Sequence, residues 1–86
     1  MANVSIPILL RNLTGGAGKA AVAGFTLREI VAGLEALYPG IEARLRNGDR
    51  VNPIVTITID GQIAQGFDAP VRADSEVCIL PRFGGG

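Results

Sequence analysis

The sequence predicts an α+β domain: a mixed sheet of four to five strands with one main helix packed on one face. Three observations carry this. Runs of alternating apolar residues occur near both ends of the chain, at Val4 to Leu10 and at Ile54 to Ile59. Between them lies a single long stripe of apolar residues at helical spacing. After the second run, Asp60-Gly61 is a favoured two-residue hairpin turn. One amphipathic helix among several strands has to lay its stripe on one sheet face. With 86 residues the chain has enough material for one core and no second lobe.

Taken in order, Val4, Ile6, Ile8 and Leu10 alternate as in a half-buried strand. Pro7 has no N–H to give a ladder, so a bulge or unpaired site is expected there. Arg11 to Gly18 is turn material, and Lys19 to Ala23 reads as a short returning strand, which makes an N-terminal hairpin. Gly15-Gly16-Ala17-Gly18 looks superficially like a phosphate loop, but it lacks the Gly-Lys-Ser/Thr ending and is read as the hairpin turn.

Thr26 followed three residues later by Glu29 fits a capping box, with Phe25 placed to staple against Ile30. The stripe then runs through Leu27, Ile30, Val31, Leu34, Leu37 and Tyr38 until Pro39-Gly40 ends the helix. Ile41 to Leu45 forms one further helical turn, with Ile41 and Leu45 on one side, and Asn47-Gly48-Asp49 breaks it. Ile54 to Ile59 is a strand, Gln62 to Gln65 its return, and Glu76 to Leu80 the last strand after a loop holding Gly66 and Pro70. The order ββ-α-ββ-β matches the β-grasp, or ubiquitin-like, architecture. Only one helix is available, so one sheet face stays uncovered, and Leu9, Ile54, Cys78 and Leu80 are expected partly on it.

Composition removes most chemistry. The chain has eight basic and eight acidic residues and no histidine, so histidine-based triads and histidine-ligated metals are excluded. The seven arginines are scattered and the formal charge is zero, which argues against nucleic acid and against an anionic membrane surface. Cys78 is the sole cysteine. It lies between Val77 and Ile79, where a thiol is read as core packing rather than as a nucleophile. Asp74 and Glu76 flank the last strand as turn and strand-start polarity rather than as a catalytic pair. No metal-ligand spacing, signal peptide or membrane span is found, and a cytoplasmic protein is expected. An apolar fraction of 48% is high for this size and suggests that partners cover some of the surface.

What remains is the end of the chain, Pro81-Arg82-Phe83-Gly84-Gly85-Gly86. Residues 1–80 are expected to form the domain and 81–86 a flexible diglycine tail. A glycine-only end can thread a narrow channel, because nothing projects from its backbone. A terminal carboxylate becomes a useful electrophile once adenylated. Gly86 is therefore the expected adenylation site, with Gly85 and Gly84 threading the channel. Phe83, Arg82 and Pro81 are the candidate docking contacts. The chain would be a protein substrate for partner enzymes, with no catalytic residues, metal or bound cofactor of its own.

These pieces resemble the β-grasp sulfur-carrier proteins of the ThiS/MoaD group, prokaryotic relatives of ubiquitin. The likeness runs from Val4-Ser5-Ile6-Pro7 through Thr26-Leu27-Arg28-Glu29-Ile30 and Ile57-Thr58-Ile59-Asp60-Gly61 to Val77-Cys78-Ile79-Leu80-Pro81 and the closing Gly85-Gly86. The opening strand and Tyr38 to Leu45 look most like the carrier of a mycobacterial-type cysteine biosynthesis pathway. The resemblance implies an E1-like adenylating enzyme of MoeB/ThiF type that uses ATP on Gly86, and sulfide that replaces AMP. It further implies a PLP-dependent cysteine synthase as sulfur acceptor and a metalloprotease that releases cysteine. The alternatives are the small subunit of molybdopterin synthase, a ubiquitin-like modifier joined to lysines, and a plain binding module whose tail is irrelevant. Gly84 extends the usual glycine pair to three, and Arg82-Phe83 replaces the small apolar residues common in the group.

Overall fold

Strand β1 (Ala2–Ser5) lies beside the last strand of the chain, in a computed structural model that describes residues 1–82. A 3-10 turn (Ile8–Leu13), β2 (Lys19–Val22), α1 (Leu27–Leu37) and α2 (Ile41–Leu45) follow. The rest is β3 (Arg46–Asn47), β4 (Arg50–Val51), β5 (Val55–Ile59), β6 (Gln62–Ile63) and β7 (Glu76–Pro81). The main sheet has the order β2-β1-β7-β5-β6, and β3 and β4 form a separate two-stranded ribbon. β1 and β7 run parallel at the centre, Val4 facing Val77 and Ser5 facing Cys78, while every other pairing is antiparallel. A mixed five-stranded sheet with one main helix across it is the β-grasp architecture expected from the sequence.

Period-two alternation in the strands and the helical stripe supply opposite walls of one core. Val4, Val22, Val55, Ile57, Val77 and Ile79 come from the sheet, and Leu27, Ile30, Val31 and Leu34 from α1. Ile41 and Leu45 of α2 close one end and Phe67 with Val71 of the long loop another, all of them buried. Arg46 caps the Phe67 ring, its guanidinium carbon 4.9 Å from the centroid.

α1 starts where its capping residue lies. Thr26 Oγ1 accepts from the Glu29 N–H at 3.3 Å. The return arm differs from expectation, since Glu29 Oε1 accepts from the Phe25 N–H at 2.7 Å, one residue ahead of the cap. The free N–H groups of the first turn go to the long loop, Leu27 to Ala69 O and Arg28 to Phe67 O. That satisfies donors a helix start leaves orphaned. At the other end Glu35 accepts from the N–H groups of Gly40 and Glu42, which fixes the corner into α2. Gly40 turns that corner at φ +102°.

Gly33 lets α1 approach β2, because a Cβ there would overlap Val22 Cγ1. Val22 is buried and β-branched, so it has little room to yield. In Gly33→Ala the crowding costs about 1–3 kcal/mol, while helix propensity returns about 1 kcal/mol. A net loss is expected, read as a lower urea midpoint in equilibrium unfolding.

Four further expectations are corrected. The first strand stops at Ser5 and does not run to Leu10 with a bulge at Pro7. The chain after Pro7 coils into a 3-10 turn, which buries Leu10 and leaves Ile8 and Leu9 exposed. Phe25 does not staple against Ile30. Its ring is 74% exposed, and Gly24 lies where the contact would be, a Cβ there falling 3.1 Å from Ile30 Cδ1. Leu37 is 55% exposed rather than part of the buried stripe. Finally, Asn47-Gly48-Asp49 does more than break a helix: with Gly48 at φ +64° it closes the β3–β4 ribbon.

Candidate functional site

β7 is the strand that delivers the tail, and alternation sets its two faces. Val77 and Ile79 point into the core, while Cys78 and Leu80 lie on the face no helix covers. On that face Cys78 sits between Ser5 of β1 and Thr58 of β5, and Leu80 pairs with Thr56. The thiol is half-buried and free. It is therefore not enclosed in the core, as its apolar sequence neighbours suggested, and the groups flanking it by register are hydroxyls.

Both ends of β7 are tied down. At its start Asp60, in the hairpin turn with φ 51°, accepts from the Glu76 N–H at 2.9 Å and from the Ser75 hydroxyl at 2.8 Å. These two bonds, with the Arg72 guanidinium 3.9 Å away, hold the Asp60 carboxyl below the usual aspartate range. At its other end the Arg82 N–H donates to Ile54 O at 2.9 Å. Ile54 is itself fixed, its N–H donating to Asn52 Oδ1 at 3.2 Å. Pro81, opposite Val55, closes the ladder at a position where its missing N–H does little harm. The chain is thus held by the sheet through Arg82.

The lowered pKa of Asp60 gives a signed expectation. The charged form is favoured in the folded state, so its contribution is fully present above the ordinary aspartate value of 3.8. That contribution is lost as pH falls through the lowered folded-state value. Asp60→Asn should lower the thermal midpoint at neutral pH and flatten its fall in that acid window. Thermal unfolding followed by circular dichroism across the range checks both.

Of the candidate residues, Pro81 and Arg82 are exposed at the rim where the sheet ends. Phe83, Gly84, Gly85 and Gly86 lie outside the described residues. Around the rim Ile54 and Leu80 are 42% and 45% exposed. Leu9, Ile54, Cys78 and Leu80 all lie at least partly in the open, as the single helix implied. Sequence reasoning missed the exposure of Ile8, which is 79%. The signal was Pro7, which ends the strand and so cancels the alternation that had turned Ile8 inward.

Elsewhere the described residues offer little chemistry. No three of their Cys, Asp and Glu side chains are grouped so as to hold a metal ion. None of their helices is long and apolar enough to cross a membrane. Asp74 and Glu76 are exposed, and Glu76 takes a contact from the Asn3 amide at 3.4 Å. Gly15 and Gly16, at φ +66° and +94°, serve the turn between β1 and β2. An open groove bordered by Ile63, Phe67, Pro70, Arg28 and Arg72 lies toward the start of β7, the end opposite the rim.

No family model matches the chain. It is 34% identical over 89 aligned residues to the sulfur carrier protein CysO of Mycobacterium tuberculosis (strain H37Rv), covering 96% of both chains. Its backbone is similar to a chain in the crystal structure of the Amycolatopsis orientalis BexX/CysO complex, with a TM-score of 0.92, 30% identity and full coverage of both chains. The crystal structure of the small archaeal modifier SAMP1 from Haloferax volcanii superposes with a TM-score of 0.75 at 19% identity, over 99% of this chain and 98% of that one. This last likeness speaks to the fold alone.

Proposed function

The chain belongs to the CysO family of sulfur carrier proteins, and from that premise we propose that sulfur is carried on its Gly86 carboxylate. An E1-like adenylating enzyme of MoeB/ThiF type uses ATP, the carboxylate attacking the α-phosphorus with loss of pyrophosphate. Sulfide then attacks the acyl carbon, AMP leaves, and a C-terminal thiocarboxylate results. A PLP-dependent cysteine synthase accepts the sulfur, and a metalloprotease releases cysteine and restores the carrier. All of this takes place in the cytoplasm. The carrier holds no cofactor and performs no catalysis of its own. Gly85 and Gly84 give clearance in the partner's channel, and Phe83, Arg82 and Pro81 contact its mouth.

The observation that carries this reading is the end-to-end likeness to a sulfur carrier, covering 96% of both chains. The geometry agrees with it. β7 is the last strand among the described residues, and the Arg82 N–H donates to Ile54 O at its end.

The test is an intact mass after incubation with ATP, a sulfide source and an adenylating enzyme whose activity is established by pyrophosphate exchange. Exchange of one oxygen for sulfur, mapped by fragmentation to Gly86, is expected. An unchanged mass with a competent enzyme overturns the reading.

A further inference from the structure

We infer that the free edge of β2 takes up an extended acidic segment of a partner protein as one more strand of the sheet. β2 is the outermost strand on the side away from β5 and β6. The inference goes beyond the reading of Gly86 and stands whether or not that residue carries sulfur.

The register between β1 and β2 decides which backbone groups are spare. The Ile6 N–H donates to Gly18 O at 2.8 Å, while the Asn3 N–H turns to Ser75 O at 3.0 Å on the other side of β1. Successive residues of a strand aim their N–H and C=O groups to opposite sides. Val4 with Ala20, and Ala2 with Val22, therefore exchange the ladder bonds. Lys19 and Ala21 stand opposite Ser5 and Asn3, and their N–H and C=O groups point away from β1, over the edge of the sheet. Both residues are exposed. An open edge of this kind is a template for a further strand.

Charge and apolar surface say which strand fits. Arg11 lies beside the start of β2: its Nε donates to Ile6 O at 3.1 Å, and its Nη2 sits 2.9 Å from where a Cβ on Gly18 would be. Among the described residues neither Arg11 nor Lys19 makes an ion pair, whereas Arg28, Arg46 and Arg72 all do. An acidic side chain opposite Lys19 supplies the missing charge. The helix side of the edge is apolar. Gly33 marks the flank of α1 that meets Val22, and Leu37, one turn on along that flank, is 55% exposed. α1 runs back toward the start of β2, since a Cβ on Gly40 just past its end would lie 3.9 Å from Leu13. An added strand alternates its side chains. Its acid meets Lys19, and the next residue turns to the helix side, where half-buried Ala20 and Leu37 offer apolar contact. A second copy fits worse. Pairing two edges through all their spare groups sets Lys19 of each on Ala21 of the other. The two lysines then become diagonal neighbours about 7–8 Å apart, charge against charge.

The experiment titrates the whole protein with a short, end-blocked peptide of alternating glutamate and valine, followed by NMR and amide hydrogen exchange. Exchange is expected to slow at the Lys19 and Ala21 amides, which face solvent without the peptide. Ala20 and Val22, already in the ladder, should change little. Ala21→Pro removes one outward N–H and should weaken binding by about tenfold or more. Proline is tolerated at an edge position whose N–H faces solvent, and the thermal midpoint reports whether the fold is kept. Lys19→Glu should weaken binding by about fivefold, and added salt should weaken it in the unmodified protein. A lysine–valine peptide should bind far more weakly than the glutamate–valine one. No binding, equal binding of the two peptides, or protection that misses Lys19 and Ala21 overturns the inference. Protection there that needs no peptide and grows with protein concentration makes the occupant a second copy, and overturns it too. The unmodified protein alone decides each of these outcomes, so a variant that fails to fold does not shelter the inference.

Discussion

Removal of Gly85 and Gly86 is expected to abolish sulfur loading completely while leaving the unfolding midpoint where it is in the intact protein. The two effects separate because they arise in different parts of the chain. Among the described residues every member of the core lies upstream, the last of them Ile79, and the last backbone hydrogen bond to the sheet is made by Arg82. Glycines bury no side chain, so their loss subtracts almost nothing from the hydrophobic term. Loading has no such reserve. Without Gly86 the carboxylate moves two residues toward the rim, a retreat of about 7 Å, and no longer reaches the place where ATP is held. Misplacing a reacting group by even about 1 Å can cost about a hundredfold in rate. Intact mass after incubation with the adenylating enzyme reads the first effect, and thermal unfolding reads the second. A plain binding module predicts the opposite result, with function surviving the truncation. Retained function would remove the tail from the mechanism.

The second large effect is on the fold. Leu34→Ala should destabilise the domain by about 2–5 kcal/mol, the range for truncating a fully buried leucine. A small domain has only about 5–15 kcal/mol in total. Leu34 is 1% exposed and faces the sheet from the middle of α1. Leu37→Ala, one turn on and 55% exposed, should cost well under half as much, since most of its surface is already in water. Urea denaturation of the two variants side by side gives the difference directly. Equal losses would mean that the last turn of α1 is packed more tightly than its exposure indicates.

That contrast also marks how far the sequence could be read. Spacing placed Leu27, Ile30, Val31 and Leu34 on one face, and all four are buried. Leu37 continues the same stripe, but periodicity reports the face of a helix and not what lies beneath its end. There the core is filled by Ile41 and Leu45 of α2. At Pro7 two patterns overlap. Ile6 and Leu10 are four apart, which suits an alternating strand and a helical turn alike, and both are buried in either case. Only Ile8 distinguishes them, and it is exposed. Phe25 was misjudged because a staple depends on the path of the backbone before the cap. Here Glu29 draws in the Phe25 N–H and sends the ring outward.

The rim was half legible. Leu9, Ile54 and Leu80 follow from counting helices against sheet faces, which needs no coordinates. The bond from Arg82 to Ile54 could not be foreseen, because it depends on how β5 and β7 are aligned at their ends.

The pairing at the middle of the sheet bears on how the protein comes into being. β1 comprises residues 2–5 and its parallel neighbour β7 residues 76–81, with β5 on the other side of β7. During synthesis the chain has the hairpin of β1 and β2, and later that of β5 and β6, but nothing to join them. Pairs so distant in sequence bear a large loop-closure cost and form late. A chain stopped before Glu76 would carry two unjoined hairpins, with α1 resting on that of β1 and β2 alone. Cooperative folding thus waits for the strand that leads into the tail.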